Sequence, residues 1–242
     1  MTGASRGIGA AIAKLIALGG AAVAVNYSRD QAGAAEVVDA IAREGGRAVA
    51  IKADVSREED VLRLFDEAAR KLGPISGLVN NAGITGGFAR VEALTAAALA
   101  RVLAVNVAGV ILCAREAVRR MSTHRGGSGG AIVNLSSLAA RIGGAGEWVH
   151  YAASKGAINS FTIGLAREVA AEGIRVNAVA PGLIDTELHA AAGAPERLAR
   201  LAPSTPMQRV GTAMEVAEAV AWLLSPAASY VTGTILEVGG GR

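Results

Sequence analysis

The chain has 242 residues, and its 24 Lys and Arg stand against 21 Asp and Glu for a formal charge of +3. A length of this order buries a large core, while the near-balanced charge, the absence of a basic run and an aromatic content of 3% exclude nucleic acid as a partner. Apolar residues reach 52% without an uninterrupted run near the ~20 residues of a membrane span, and the lone Cys113, a small hydrophobe for the core, excludes an internal disulfide or a cysteine-based metal site.

The chain opens on TGASRGIG (Thr2 to Gly9), a glycine-rich turn running into a helix. AAVAVNY (Ala21 to Tyr27) is a short Val-rich run that predicts a strand, and AGAAEVVDAIAREGG (Ala32 to Gly46) is a helical pattern closed by glycines. A strand in RAVAIKAD (Arg47 to Asp54) follows, then the helix EEDVLRLFDEAARKLG with Ser56 as its expected N-cap. SGLVNNAG is the next strand, and a long helix runs from Thr95 to about Met121. Then come the strand GAIVNLSS, a helix beginning near Tyr151, the strand IRVNAVAPG and a last strand within GTILEV.

Short apolar strands separated by crossover helices predict a doubly wound α/β fold, one parallel sheet covered on both faces, with residues 1–242 as a single domain. HRGGSGG (His124 to Gly130) reads as a surface loop. The stretch from Ile184 to Met207 is a long excursion between the last two strands, and excursions of that length in compact domains serve as lids or binding loops. No basic segment followed by an apolar core and a cleavage site opens the sequence, so the expected location is the cytoplasm.

The chemistry is expected at the carboxyl ends of the strands. Gly3, Gly7 and Gly9 let backbone come close to whatever lies at the helix N-terminus, where unpaired N–H groups attract a pyrophosphate; the spacing alone also fits a bare helix cap. In YAASK, Tyr151 and Lys155 are four apart and share a helix face, so the cation can favour phenolate over phenol, although such a pair by itself also describes an ordinary helix surface. Ser137 ends a predicted strand 14 residues before Tyr151, either as a turn residue or as a hydrogen-bond donor to a substrate oxygen.

TGASRGIG, NNAG (Asn80 to Gly83), the VNV around Asn106, Ser136 and Ser137, YAASK and PGLIDT (Pro181 to Thr186) occur in the order found in the short-chain dehydrogenase/reductase family, which the chain resembles over essentially its whole length. The resemblance implies a Rossmann-type domain with a nicotinamide cofactor and no metal. It places a catalytic tetrad on Asn106, Ser137, Tyr151 and Lys155: Tyr151 as general acid or base, Ser137 on the same substrate oxygen, Lys155 on the nicotinamide ribose and beside the phenol, Asn106 holding a water that relays protons.

It also implies cofactor contacts from Gly3, Ser5, Arg6, Gly7, Ile8 and Gly9 in the turn, Ser28 and Arg29 after the first predicted strand, Asp54 and Val55 at the adenine, Asn81, Ala82 and Gly83 at the adenosine ribose, and Pro181, Gly182, Ile184 and Thr186 at the nicotinamide. Tyr27 stands where the family's ribose-binding acid is expected, with Arg29 and Arg6 able to converge on a 2′-phosphate, so NADP(H) is preferred over NAD(H); the competing reading gives the ribose to Asp30.

GGAGEWVH (Gly143 to His150) is expected to wall the substrate pocket, with Trp148 and His150 its distinctive members, and the pattern is similar to both sugar-dehydrogenase-like and 3-oxoacyl-carrier-protein-reductase-like branches. In relatives a central strand precedes the glycine turn, whereas here only Met1 does, and the expectation is an upstream start or omitted residues. The implied function is an NADP(H)-dependent oxidoreductase acting on a small carbonyl or secondary alcohol, assembled as a homotetramer through its long helices and last strand. The alternative is a non-catalytic nucleotide- or partner-binding protein of the same fold.

Overall fold

A computed structural model describes residues 1–187, 193–194 and 196–242. Six strands are present among them, every pairing parallel. Val23–Tyr27 (β1) pairs with Ala48–Lys52 (β2), from Val23 opposite Ala48 to Tyr27 opposite Lys52. Gly77–Asn80 (β3), Gly130–Leu135 (β4), Ile174–Pro181 (β5) and Ile235–Val238 (β6) pair in that order. Parallel neighbours cannot be joined by tight turns, which is why a helix or a long connection lies between each pair.

The α-helices among the described residues are Gly7–Leu18 (α1), Gln31–Arg43 (α2), Glu58–Leu72 (α3), Ala96–Leu103 (α4), Gly109–Met121 (α5), Ala139–Ile142 (α6), Val149–Val169 (α7), Arg197–Leu201 (α8) and Ala213–Leu224 (α9). On one face of the strands Val61, Leu64 and Phe65 of α3 meet Cys113, Ala117 and Met121 of α5 and Ala166 and Val169 of α7. On the other, Ile12 of α1 packs with Val216, Val220 and Leu223 of α9 over Val79, Val133 and Val179. This is the doubly wound α/β arrangement expected from the strand and helix alternation, except that the paired strands fall in two groups, β1–β2 and β3–β4–β5–β6, where one continuous sheet was expected.

Met1 to Ala4 runs between the two strand groups and bonds to both. Met1 accepts from Asn26 N at 3.1 Å and Ala4 N donates to Asn26 O at 2.8 Å, while Thr2 N donates to Val79 O at 3.0 Å. Thr2 Oγ1 also accepts from the backbone N–H groups of Asn81 and Ala82 at 3.0 and 3.1 Å. Each such acceptor, if removed, leaves a partly buried N–H unmade at a cost of about 1–3 kcal/mol, so the first residues fix where β1 and β3 end relative to each other.

Three local expectations change. Ser56 does not cap α3: the cap position is Arg57, without a side-chain bond, and Ser56 Oγ donates instead to Asp54 Oδ1 at 2.7 Å. The long helix is broken by a wide π-type turn at Ala104–Ala108 that contains Asn106, with Thr95 capping its start through Ala98 N. By length and composition alone the run Ala96–Met121, 26 residues, is apolar enough to cross a membrane, against the reading of the sequence; Val102, Val105, Val110, Cys113 and Met121 nevertheless pack into the core. Of the excursion from Ile184 to Met207, residues 188–192 and 195 lie outside the described residues, and the remainder carries α8.

Candidate active site

The glycine turn is held by packing in which a side chain has no room. A Cβ on Gly9 would stand 2.2 Å from the Gly3 carbonyl oxygen and 2.6 Å from Asn81 Nδ2, and Gly3 itself has φ +59° with a Cβ position 2.8 Å from Ala82 Cα. Two asparagines stitch the turn to the strand ends. Asn81 Nδ2 donates to Gly3 O at 2.7 Å, and Asn26 Oδ1 accepts from Gly3 N at 3.2 Å while its Nδ2 donates to Ala53 O at 3.0 Å. Arg6 occupies the N-cap of α1 without a side-chain capping bond, and the first helical bond is Ala10 N to Arg6 O. The preceding N–H groups of the first turn therefore have no intrahelical acceptor, and with the helix dipole behind them they form an anion site.

This turn opens into a cleft of about 690 Å³. Every residue the sequence singles out for cofactor or catalysis borders it, from Ser28, Arg29, Asp54 and Val55 at one end through Asn81 to Gly83 to Ser137, Tyr151, Lys155, Pro181, Gly182, Ile184 and Thr186 at the other; Asn106 alone lies behind its wall. The glycine cradle, the free amides and the size of the cleft fit a dinucleotide cofactor.

Tyr151 and Lys155 sit on the first turns of α7, both buried, with the Lys155 Nζ 5.7 Å from the phenol ring centroid. Burial raises the Tyr151 pKa above its ordinary value, and the hydrogen bond with Ser137 only partly offsets this. The Lys155 ammonium donates to Leu135 O at 2.6 Å, and burial draws its pKa down to about 8. The expectation that the cation pulls the phenol toward phenolate is thus corrected. Desolvation acts on both groups and favours neutral phenol and neutral amine.

The two serines after β4 divide their duties. Ser136 Oγ is committed to α7, to Lys155 O at 3.2 Å and Asn159 Oδ1 at 2.5 Å, whereas Ser137 meets Tyr151 and accepts from Ala139 N. Asn106 uses its side chain structurally: Oδ1 accepts from Ile84 N at 2.9 Å, and Nδ2 donates to Ile84 O at 2.8 Å and Ser154 Oγ at 3.0 Å. Both Nδ2 hydrogens are thus spent, leaving a second lone pair on Oδ1 and the backbone for any water, while the amide pins Ile84 to the helix.

At the opposite end Asp54 Oδ2 takes a hydrogen bond from Arg101 at 2.9 Å, and Arg101 also reaches Ser56 Oγ at 2.7 Å. Burial works to raise the Asp54 pKa, but the bonds from Ser56 and then Arg101 hold it below the usual carboxylate range. Asp30 is engaged in capping α2, its Oδ1 accepting from Gly33 N at 3.0 Å, whereas Arg6 and Arg29 are exposed at the rim.

Of the two wall residues, Trp148 borders the cleft and His150 does not; His150 Nε2 bonds Thr85 O at 2.9 Å and holds the loop from behind. Sequence reasoning missed Arg101, Asn26, Phe88 and Arg197. Only the position of Asn26 near a strand end carried any signal, since the others find partners far along the chain.

The family model described as Enoyl-(Acyl carrier protein) reductase matches residues 3–242. The oxidoreductase YgfF of Escherichia coli K12 is 53% identical over 242 residues, covering 100% of this chain and 98% of that one. A 7α-hydroxysteroid dehydrogenase complexed with NADH and 7-oxo glycochenodeoxycholic acid superposes with TM-score 0.92 at 35% identity, covering 100% of this chain and 92% of the other. A short chain dehydrogenase of Burkholderia cenocepacia J2315 in complex with NADP gives 0.90 at 38% identity, with 100% and 95% covered.

The buried lysine has a measurable linkage. Between pH 8 and its ordinary value of 10.5 the folded chain binds fewer protons at Lys155 than the unfolded chain does, so the burial penalty is relieved as pH rises. Wild type should gain about 2 kcal/mol of unfolding free energy relative to Lys155→Met between pH 7.5 and 9.5 in urea titrations. Parallel pH dependences for the two proteins would mean that Lys155 titrates as an exposed lysine.

Proposed function

The chain belongs to the short-chain dehydrogenase/reductase family, a nicotinamide-dependent oxidoreductase lineage, and on that footing we propose that it interconverts a small carbonyl and its secondary alcohol with NADP(H), using Tyr151 as general acid and base. The observation that carries this reading is the buried Tyr151 phenol, hydrogen-bonded to Ser137, in the same cleft as the glycine-lined N-terminus of α1. The cofactor supplies the hydride; the protein supplies orientation and the proton.

In the reductive direction the phenol donates its proton to the substrate oxygen, and Ser137 hydrogen-bonds the same oxygen so that the carbonyl is polarised before transfer. Lys155 lies beneath, with N–H groups to spare beyond its bond to Leu135 O, and these would hold the ribose next to the nicotinamide. In the oxidative direction the phenol must lose its proton first, and its raised pKa makes alkaline conditions the favourable ones. Gly182 and Thr186 would border the carboxamide, and Asn81 to Gly83 the adenosine ribose.

The preference for NADP(H) rests on charge at the rim. Tyr27 ends β1 in place of an acid, Asp30 caps a helix, and two exposed guanidinium groups, Arg6 and Arg29, border the adenosine end. A 2′-phosphate would meet cations there and no free carboxylate of β1.

Assembly into a homotetramer is supported by apolar side chains left in water on the long helices: Leu99, Leu103 and Ile111 around the wide turn, and Ile163 on α7. Surfaces of this kind cover one another in oligomers.

Three measurements follow. Tyr151→Phe should lower turnover of any accepted ketone by at least about a hundredfold while leaving NADPH affinity within about twofold; full activity in that variant rejects the proton role. Arg29→Ala should weaken NADPH by about tenfold and leave NADH nearly unchanged, read by cofactor fluorescence titration. Equilibrium sedimentation should return four times the 24.3 kDa chain mass, and a monomer at micromolar concentration rejects the tetramer.

A further inference from the structure

Beyond Tyr151 the cleft is walled by a cluster that neither the proton transfer nor the cofactor uses. The Trp148 indole is buried, with its ring centroid 5.5 Å from that of Tyr151. Phe88 stacks on it at 4.7 Å with 17° between the planes, and the Arg197 guanidinium carbon lies over the ring at 4.7 Å. Arg197 is itself fixed, because Glu147 accepts from its Nε at 3.3 Å and its Nη2 at 2.6 Å. Ala89 N donates to Glu147 O at 2.8 Å, so three stretches distant in sequence close on one indole.

Each part has a physical reason. A guanidinium stacks on an aromatic face as a planar cation, and a carboxylate that grips its edge leaves the stack one orientation. The indole edge beside the phenol is then a rigid wall. Ala139 and Ala152 pack with it, and Leu138, Ala139 and Ile142 add hydrocarbon to the lining of the cleft. A polyol entering here would have to give up water at several hydroxyls for few side-chain partners, whereas a carbon ring loses nothing by the exchange.

We propose that Arg197 is a positioning residue that fixes Trp148 as a wall of the substrate subsite, and that this wall selects a ketone or secondary alcohol carried on a compact apolar carbon ring over an open-chain polyol or a sugar. The inference rests on the oxidoreductase reading above and names its substrate class.

The chain has two tryptophans, and the other, Trp222, is 43% exposed, so a Trp222→Phe background leaves Trp148 as the reporter. In that background, wild type, Arg197→Ala and Arg197→Lys are compared with cyclohexanone and cyclohexanol against glucose and sorbitol. The ring probes should give kcat/KM at least about tenfold above the polyols. Arg197→Ala should raise KM for cyclohexanone about tenfold, with kcat within about twofold and cofactor KM unchanged, and should red-shift Trp148 emission and open it to acrylamide; Arg197→Lys should recover most of both.

A preference for glucose or sorbitol overturns the substrate class. Unchanged KM and emission in Arg197→Ala, or a fall in kcat at constant KM, overturns the positioning role. If no probe is turned over by folded protein, the oxidoreductase reading is what fails. Quenching of Trp148 by cyclohexanone and not by glucose then still upholds the wall, and equal or absent quenching rejects it.

Discussion

The whole arrangement depends on one close approach of backbone to backbone. Gly9 lies so near the Gly3 carbonyl that no side chain can come between them, and this contact sets the N-terminus of α1 directly above the strand ends. Asn26 and Asn81 then lock the turn from either side, each spending amide hydrogen bonds on main-chain atoms that would otherwise be unpaired. Cleft, dipole and free amides all follow from that geometry. A methyl group at position 9 would displace the very surface on which an anion rests.

Desolvation is the second organising force, and it acts on Tyr151 and Lys155 of α7 in opposite senses. The phenol is made a weaker acid and the ammonium a stronger one, so the phenol stays neutral while Lys155, its pKa drawn down to about 8, still carries most of its charge at neutral pH. A substrate oxygen arriving between Tyr151 and Ser137 would meet donors where a developing charge needs them. The buried hydroxyl and amide groups behind, Ser136, Ser154 and Asn106, are occupied with holding loop and helix in register, which keeps the donors from relaxing toward one another.

What could be read in the sequence was what is encoded locally. The glycines of the turn, the phenol and ammonium one helical turn apart, and the alternation of Val-rich runs with amphipathic stretches are short-range patterns with a direct physical meaning, and they located the fold and nearly all of the cleft. The failures are of another kind. Ser56 had the right type and position for a cap, but Asp54 two residues away, itself held by Arg101 from α4, offered its hydroxyl a stronger acceptor. Asn106 stood within an apolar helical stretch with nothing to indicate that its amide pairs with Ile84 or that its turn is widened. Arg197 and Trp148 are joined across 49 positions, and no spacing rule reaches that far. Nor did the spacing of Tyr151 and Lys155 warn that burial would raise the phenol's pKa, with the Ser137 hydrogen bond opposing it.

The widened turn at Ala104–Ala108 also acts as a phase shifter. Before it, α4 presents Arg101 to Asp54; after it, α5 presents Arg120 to Asp66 on α3 at 2.6 Å. Since one residue advances a helix by about 100°, straightening those five residues by a single deletion would rotate one anchoring face away while the other stayed in place. Both ends of that rod are tethered to the neighbouring layer, so its bulge is a tolerance built into the span, letting two docking faces that are out of step along an ideal cylinder engage at once.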